Sequence, residues 1–163
     1  MIATHIPTKS LQLIPQTRED VRSYIEQMKP QERKEISAAW LALLDGSIPA
    51  DPWIHGFLLV HRDSGMVVGR CGFKGPPDSD GVVEIAYGVN PEHEGKGYAT
   101  EAAGALVSFA FSHGQVRVVR AHTLPQANAS TRILTKCSFQ RIGEVIDPED
   151  GLVWRWERYN ETA

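Results

Sequence analysis

Residues 87–100 read YGVNPEHEGKGYAT. An apolar, strand-like run leads into this stretch, and apolar residues at helical spacing follow it, so the sequence predicts a strand, a glycine-rich turn and a helix in succession. Gly95 and Gly97 allow a tight turn that points successive backbone N–H groups outward, beside the positive end of the helix dipole. The sequence therefore predicts a cradle for an anion such as a phosphate or pyrophosphate.

The spacing of these glycines narrows the kind of anion site. A Walker A loop requires GxxxxGK[ST], which residues 95–100 do not fit, and a dinucleotide-binding GxGxxG would need glycine where Thr100 stands. The chain also lacks the alternating parallel βαβ units of a dinucleotide-binding domain. A nucleotide-binding protein remains the weaker alternative, and a tight strand-to-helix connection without a ligand remains open as well.

Hydrophobic periodicity assigns the rest of the chain to strands and helices. Thr17 is expected to cap the first helix, Pro30 to end it and Gly46 to end the second. We predict strands at residues 10–14, 54–60, 66–73, 82–89, 116–123, 140–146 and 151–159, and helices at residues 17–28, 36–44, 99–113 and 129–137. No internal repeat and no linker long enough to separate domains is evident, which indicates one domain.

Composition excludes several classes of protein. Seventeen Lys and Arg residues against twenty Asp and Glu residues give a net charge of −3. The overall charge therefore offers no reason to bind nucleic acid or an anionic membrane, and only a local basic patch is left as an alternative. Met1–Ser10 lacks the pattern of a signal peptide, and no apolar run is long enough to span a membrane. Cys71 and Cys137 form no CxxC pair, so neither a disulfide framework nor a metal site is expected. We expect a soluble, cytoplasmic protein.

The glycine-rich stretch resembles the acetyl-CoA-binding motif of the GNAT superfamily of N-acetyltransferases, (Gln/Arg)-x-x-Gly-x-(Gly/Ala), with Glu94, Gly97 and Ala99 at the motif positions. Residues 84–102 around it look like that family, and residues 128–139 resemble the Asn-x-x-Ser and Lys-x-Gly-Phe signatures of its ribosomal-protein (Rim-type) branch. The resemblance covers essentially the whole chain. It implies a single α/β (α+β) domain over residues 1–163, with a mixed, mainly antiparallel sheet of about seven strands flanked by about four helices.

The resemblance also implies a function. The donor would be acetyl-CoA, and the acceptor would be a primary amine: a protein N-terminus, a polyamine, an aminoglycoside or another small amine. Transfer would be direct, in a ternary complex, without a metal. The expected acetyl-CoA-binding residues are Val89, Glu94, Gly95, Lys96, Gly97, Tyr98, Ala99, Thr100 and Asn128.

Three departures from the family pattern bear on catalysis. Glu94 replaces the usual Gln or Arg, Ser138 replaces the usual Gly, and Leu134 stands where many members place the tyrosine that protonates the leaving thiolate. These departures motivate an alternative from a different functional class, a CoA-binding regulator or adaptor that has lost catalysis.

We expect the catalytic residues to be Glu84, Asn128 and Thr131. Glu84 is the one carboxylate in an otherwise apolar strand next to the expected thioester site, so we interpret it as the general base, acting through water. Asn128 would hold the pantetheine arm or order a water, or would cap a helix. Thr131 or Ser130 would donate a hydrogen bond to the leaving sulfur. The resemblance implies that a backbone N–H near Val89 would stabilise the oxyanion.

Histidine and tryptophan residues offer further candidates. His122 ends a predicted strand near the cleft and is interpreted either as a base or as a structural residue. Trp154 and Trp156 alternate with charged residues, which favours a core position; the alternatives are an acceptor pocket or the edge of a homodimer. The first two helices are expected to cover the acceptor side. Neither cysteine is expected to carry the acetyl group.

Overall fold

The computed structural model describes residues 5–161, so the expectation for residues 1–4 of the N-terminus lies outside the described part. The strands are β1 (Ile6–Pro7), β2 (Leu11–Pro15), β3 (Phe57–His61), β4 (Val67–Phe73), β5 (Val82–Val89), β6 (Val118–Thr123), β7 (Gln140–Asp147) and β8 (Gly151–Tyr159). The helices are α1 (Arg18–Gln27), α2 (Pro30–Arg33), α3 (Ala38–Asp45), α4 (Pro52–His55), α5 (Tyr98–Phe111) and α6 (Ala129–Lys136).

The eight strands form one mixed sheet in the order β1-β2-β3-β4-β5-β6-β8-β7. Among the described strand pairs, β5 and β6 are parallel and the others are antiparallel. The predicted fold class, a mixed and mainly antiparallel sheet with flanking helices, is therefore confirmed. The additional strand is β1, and the additional helices are the single turns α2 and α4.

The parallel pair opens partway along its length. The pairing of β5 with β6 runs from Val82 to Glu84, whereas β5 stays paired with β4 as far as Val89. The backbone N–H of Lys74 donates to the carbonyl of Glu84 at 2.9 Å, so the polar backbone groups of Glu84 face β4. By the alternation of an antiparallel pair, the N–H groups of Tyr87 and Val89 face the other way, into the gap between β5 and β6.

The core lies between the sheet and α5. The α5 residues Ala102, Ala103, Leu106 and Ala110 have no exposed surface, because small side chains let the helix approach the strands closely. Each fully buried leucine or phenylalanine of this core contributes roughly 1.5–3 kcal/mol. The helix that follows the glycine-rich turn is therefore rigidly held against β4 and β5, which fixes the position of its first turn.

Several local predictions are confirmed and one is wrong. Thr17 caps α1, and Gly46 ends α3. The predicted strand at residues 54–60 begins only at Phe57, because residues 52–55 form α4. Asp51 caps this turn by accepting a hydrogen bond from the Trp53 N–H at 3.0 Å, and the proline at position 52 has the backbone angle that a first helical residue needs.

Candidate active site

The glycine-rich turn has the geometry that the sequence predicts. Gly95 and Gly97 adopt φ angles of +79° and +83°, which an L side chain tolerates poorly. A Cβ atom built on either residue would meet no heavy atom within 4 Å, its chain neighbours aside. Glycine is therefore required here by the backbone conformation and not by crowding.

The backbone amides of this turn are available to a ligand. Gly97 is the N-cap of α5 and has no side chain to accept a hydrogen bond from the first helical turn. The first intrahelical bond runs from the Glu101 N–H to the Gly97 carbonyl at 3.1 Å. Within the described residues, the N–H groups of residues 95–100 have no hydrogen-bond partner. These free donors lie at the positive end of a 14-residue helix, which favours a bound anion.

A cavity of about 530 Å³ lies beside this turn, and we call it the donor cavity. One wall is the turn and the end of β5, with Val89 and Glu94, and the opposite wall is α6, which contributes Ile133 and the cations Arg132 and Lys136. The free amides and the two cations fit a diphosphate, and the apolar side chains fit a pantetheine arm. Lys96 is exposed and does not line the cavity, although the predicted residues Gly95, Gly97, Tyr98, Ala99 and Thr100 do.

Tyr87 and Ser130 connect this cavity to a second one. The smaller cavity has a volume of about 160 Å³ and is lined by Glu84, His122 and Asp150 as well as by Tyr87 and Ser130. Burial raises the pKa of Tyr87 to about 12, and a hydrogen bond with Ser130 acts in the opposite direction. The phenol therefore stays protonated throughout the physiological range and can donate a hydrogen bond at the point where the two cavities meet.

Glu84 lies in a small network of charges. Its Oε2 is 2.8 Å from Lys74 Nζ and 3.2 Å from His122 Nδ1. Lys74 Nζ also lies 3.2 Å from Asp150 Oδ2. Burial alone would lower the pKa of Lys74, but the hydrogen bonds and charges of Glu84 and Asp150 outweigh burial and raise it. Lys74 is therefore a cation that ties the middle of β5 to the turn between β7 and β8.

The hydrogen-bonding role of the His122 ring follows from its neighbours. Arg155 Nε donates to His122 Nε2 at 3.1 Å, so Nε2 is the acceptor and the ring proton of neutral His122 is on Nδ1, facing Glu84. The His122 side chain is only 4% exposed. With its Nε2 lone pair already accepting from Arg155, His122 has no free lone pair with which to remove a proton from a substrate. Within the described residues its Nδ1 makes no hydrogen bond, although it lies 3.2 Å from Glu84 Oε2.

Asn128, Thr131 and Leu134 have structural roles at the start and core of α6. Asn128 Oδ1 accepts from the Thr131 N–H, and Thr131 Oγ1 accepts from the Asn128 N–H, both at 3.0 Å, which forms a capping box. Thr131 Oγ1 also donates to the Asn128 carbonyl at 2.9 Å. Neither residue lines the donor cavity or the smaller cavity. Leu134 has no exposed surface and belongs to the core.

A third cavity, of about 630 Å³, lies between the first helices and the sheet. We call it the roof groove. Its helix side is formed by α1 and α3 and includes Tyr24, Trp40 and Leu43, while its sheet side includes Lys74 and Glu84. The expectation that the first helices cover one side of the site is thus consistent with the geometry, and Glu84 lies where the roof groove and the smaller cavity adjoin.

Sequence reasoning did not select Tyr87, Arg132, Lys136 or Lys74 as site residues. Arg132 and Lys136 are four residues apart on the predicted helix, and this spacing could have indicated one cationic face. Tyr87 and Lys74 carried no such signal. Tyr87 reaches the site because β5 separates from β6, and Lys74 reaches it from the end of the neighbouring strand β4. Trp156 is buried and Trp154 packs partly buried against the core, as expected for a core position.

Within residues 5–161, no three His, Cys, Asp or Glu side chains are grouped so that they could share a metal ion. In the same part of the chain, none of the helices combines the length and the apolar character that crossing a bilayer requires.

Comparison with known proteins places this chain in a family. A family model described as an acetyltransferase (GNAT) domain matches residues 4–140. The "Uncharacterized N-acetyltransferase YjdG" of Bacillus subtilis (strain 168) is 35% identical over 95 residues, which is 58% of this chain and 54% of YjdG. The chain thus spans about half the length of the curated relatives that it matches.

Two solved structures show the same fold at low sequence identity. RimL, a ribosomal L7/L12 alpha-N-protein acetyltransferase in complex with coenzyme A, has a TM-score of 0.72 at 14% identity and covers 98% of this chain and 100% of that one. Aminoglycoside acetyltransferase AAC(6')-Ib, in complex with coenzyme A and kanamycin, has a TM-score of 0.64 at 21% identity, with 93% and 96% covered. Since the family model spans most of the sequence, the chain belongs to the GNAT acetyltransferase family.

Proposed function

We propose that the protein transfers an acetyl group from acetyl-CoA to a primary amine by direct attack in a ternary complex. The observation that carries the proposal is the row of unbonded amides at residues 95–100, which opens into the donor cavity. Through Tyr87 and Ser130 this cavity meets the one that contains Glu84. Donor and acceptor would thus approach each other from opposite sides of the gap between β5 and β6.

The donor would be held mainly by the backbone. The amides of residues 95–100 would bind the diphosphate, and the side chains of Arg132 and Lys136 on the facing helix would add positive charge. These two cations offset the carboxylate of Glu94, which stands where the family usually has Gln or Arg. The pantetheine arm would lie along the open side of β5, where the N–H of Val89 is directed toward the gap.

Each chemical requirement of the transfer has a candidate group. The amine nitrogen must be neutral when its lone pair attacks the thioester carbon, and about a tenth of an α-amine with a pKa near 8 is neutral at pH 7, against less than a thousandth of a lysine. Glu84 would take the proton that the nitrogen loses, directly or through water. The Val89 N–H would stabilise the oxyanion.

The leaving thiolate needs stabilisation when the carbon–sulfur bond breaks. The family's usual tyrosine position is occupied by Leu134, which is fully buried. Tyr87 is the phenol that lines the junction of the cavities, and its pKa of about 12 is well above the roughly 8.5 of a thiol. Tyr87 would therefore donate a hydrogen bond to the thiolate without giving up its proton. Asn128 and Thr131 would act by fixing the start of α6 and hence the position of Ser130.

The cysteines support direct transfer over an acetyl-cysteine intermediate. Cys71 and Cys137 are both buried, and burial raises the pKa of both thiols. A thiol that is not ionised is a poor nucleophile. The alternative, a CoA-binding regulator without catalysis, is favoured by one observation, the buried Leu134 at the usual acid position. The homodimer and the cytoplasmic location remain predictions.

Two measurements on the purified protein test the proposal. Calorimetry should detect CoA binding, and an assay of free thiol should detect CoA release from acetyl-CoA that depends on an added amine. Binding of CoA without release by any amine would support the regulator. Binding of ATP or NAD without binding of CoA would overturn both readings and favour a nucleotide-binding protein.

A further inference from the structure

The roof groove combines an apolar end with a charged end, and this asymmetry bears on the acceptor. We propose that the acceptor is a small monoamine with an aromatic or branched aliphatic body, whose ammonium lies beside Glu84 and whose body lies between α1 and α3. This inference rests on the proposed function, because it assigns the acceptor for the same site.

The apolar end of the groove consists of large apolar side chains that are partly exposed to solvent. Tyr24 is 42% exposed and Leu43 is 40% exposed, and both line the groove together with Ile25, Ile36 and Trp40. No charged side chain lines this helix side within the described residues. Exposed apolar surface that is concentrated in one concave place, and not scattered, is typical of a site that receives an apolar ligand.

The charged end carries an excess of carboxylates. Glu84, Asp147 and Glu149 line the groove there, with Lys74 as the single cation. Lys74 is already paired with Glu84 and with Asp150, which lies just outside the groove. Burial alone would raise the pKa of Asp147, but hydrogen bonds from the backbone N–H groups of Asp150 and Glu149, together with the charge of Lys74, lower it. This end therefore favours an incoming ammonium group.

The separation of the two ends argues against polycations. A polyamine or an aminoglycoside carries several ammonium groups, and one of them would have to lie among Tyr24, Ile36 and Leu43 with no carboxylate lining that end. Leaving a charge unpaired against apolar side chains is costly. A monoamine places its one charge at the carboxylates and buries only carbon at the other end.

The backbone around the groove argues against a peptide. An extended peptide binds most readily by adding to a free strand edge. The strand residues that line the groove are Phe73 on β4 and Glu84 and Ala86 on β5. β4 is paired on both sides, with β3 and with β5, and the N–H groups of β5 that face the gap to β6, at Tyr87 and Val89, lie where the pantetheine arm would run. The other wall is formed mainly by α1 and α3, whose interior N–H and carbonyl groups are used within the helices. A peptide main chain would lose its hydrogen bonds to water here without replacing them, whereas a small amine has no such groups. The volume of about 630 Å³ is in the range of small-molecule sites.

Binding measurements on the full chain with CoA present test this inference. The probes are β-phenylethylamine, spermidine and a hexapeptide with an N-terminal alanine, each titrated by calorimetry. The variant is Leu43→Gln in the groove, and its matched control is Leu152→Gln, since Leu152 is 50% exposed on β8 and does not line the groove. We expect β-phenylethylamine to bind most tightly, with affinity about fivefold lower in Leu43→Gln and unchanged in Leu152→Gln.

The outcomes separate this inference from the proposed function. Tighter binding of spermidine or the peptide, or an equal effect of the two leucine substitutions, would overturn the monoamine. If spermidine or the peptide released CoA from acetyl-CoA and β-phenylethylamine did not, the monoamine proposal would also be overturned, while acetyl transfer itself would stand. Leu43-dependent binding of β-phenylethylamine, with no CoA release by any amine, would support the groove as an amine site and remove the proposed catalysis.

Discussion

Glu84 and Lys74 form an ion pair of 2.8 Å at the place where the roof groove adjoins the smaller cavity. Lys74 comes from the end of β4 and also reaches Asp150 in the turn between β7 and β8. The pair therefore links neighbouring strands, and the second contact of Lys74 ties it to the turn between β7 and β8. In the proposed function, an amine that enters the groove would meet this carboxylate before it reached the donor cavity.

Replacing Glu84 tests its role as the proton acceptor. We expect Glu84→Gln to lower kcat by about a hundredfold or more, since removal of a general base typically costs that much, and to leave the Kd for CoA within about twofold, because Glu84 does not line the donor cavity. Steady-state kinetics and calorimetry measure the two effects. An unchanged kcat would remove Glu84 from the mechanism.

A second glutamate on the same sheet provides the control. Glu144 lies on β7 and accepts a hydrogen bond from Trp154 Nε1 at 3.2 Å, away from the three cavities. Glu144→Gln makes the same chemical change outside the site and should retain the parent kcat. A similar loss of kcat in both variants would indicate a general effect on folding.

The conformation of Gly97 gives a test of the donor site. Gly97→Ala forces an L side chain into a φ of +83°, at a cost of about 1–2 kcal/mol, and relief of this strain would rotate the amides of the turn. We expect the Kd for CoA to rise about tenfold. Gly65 has a φ of +74° and, as at Gly97, no heavy atom near a Cβ, so Gly65→Ala should show a similar loss of Tm with no change in Kd. Equal Kd values for both variants would contradict the cradle.

The Tyr87 hydroxyl gives a test of thiolate stabilisation. We expect Tyr87→Phe to lower kcat by about tenfold to a hundredfold, the effect of one hydrogen bond to a charged group. Because the pKa of Tyr87 is about 12, the phenol does not titrate below pH 10, and the alkaline side of the pH–rate profile should keep its shape in the variant. Tyr159→Phe, which removes a hydroxyl bonded to Glu157 on β8, is the control. A kcat that Tyr87→Phe leaves unchanged would show that another group stabilises the leaving thiolate.

The fold was predictable where local chemistry decides the structure. Gly95 and Gly97 reveal a turn that only glycine tolerates, and the periodic alanines and leucines of α5 reveal its buried face. The prediction of a strand from residue 54 failed at Ile54 and His55, where an apolar run suited a strand equally well and the cap from Asp51 decided for a helical turn. A strand of two residues, such as β1, has too few positions to show any period.

The site was predictable only for its backbone part. The free amides of residues 95–100 follow from a local motif, but the charge network around Glu84 depends on Lys74 and Asp150, which are brought together by the order of strands in the sheet. Likewise, Asn128 and Thr131 have a spacing that suits catalysis and capping equally well. Whether their polar groups point into a cavity or at each other is decided by the packing of α6, which periodicity does not determine.

Hydrogen bonds of the buried His55 side chain hold α3, one of the helices that form the roof groove, and these bonds depend on pH. It is 4% exposed, and its Nδ1 accepts the backbone N–H of Asp51 at 2.9 Å. Its proton is therefore on Nε2, which donates to Ser47 Oγ at 2.9 Å. Ser47 Oγ in turn donates to the Leu44 carbonyl at 2.6 Å. This chain of hydrogen bonds joins α3 to α4 and requires a neutral imidazole.

Stability should therefore fall in mild acid. Burial lowers the pKa of His55 more than the Asp51 carboxylate raises it, so the folded-state pKa lies below the value of about 6.5 in the unfolded chain. Below about pH 6.5 the unfolded state binds more protons than the folded state. The stability that neutral His55 contributes is therefore complete above about pH 6.5 and is lost as the pH falls toward the pKa of His55 in the folded state. We expect the free energy of unfolding in urea to decrease between pH 7.5 and 5. The decrease should be smaller in His55→Gln and unchanged in His5→Gln, which replaces an exposed histidine. Equal decreases in all three proteins would show that His55 does not carry the pH dependence.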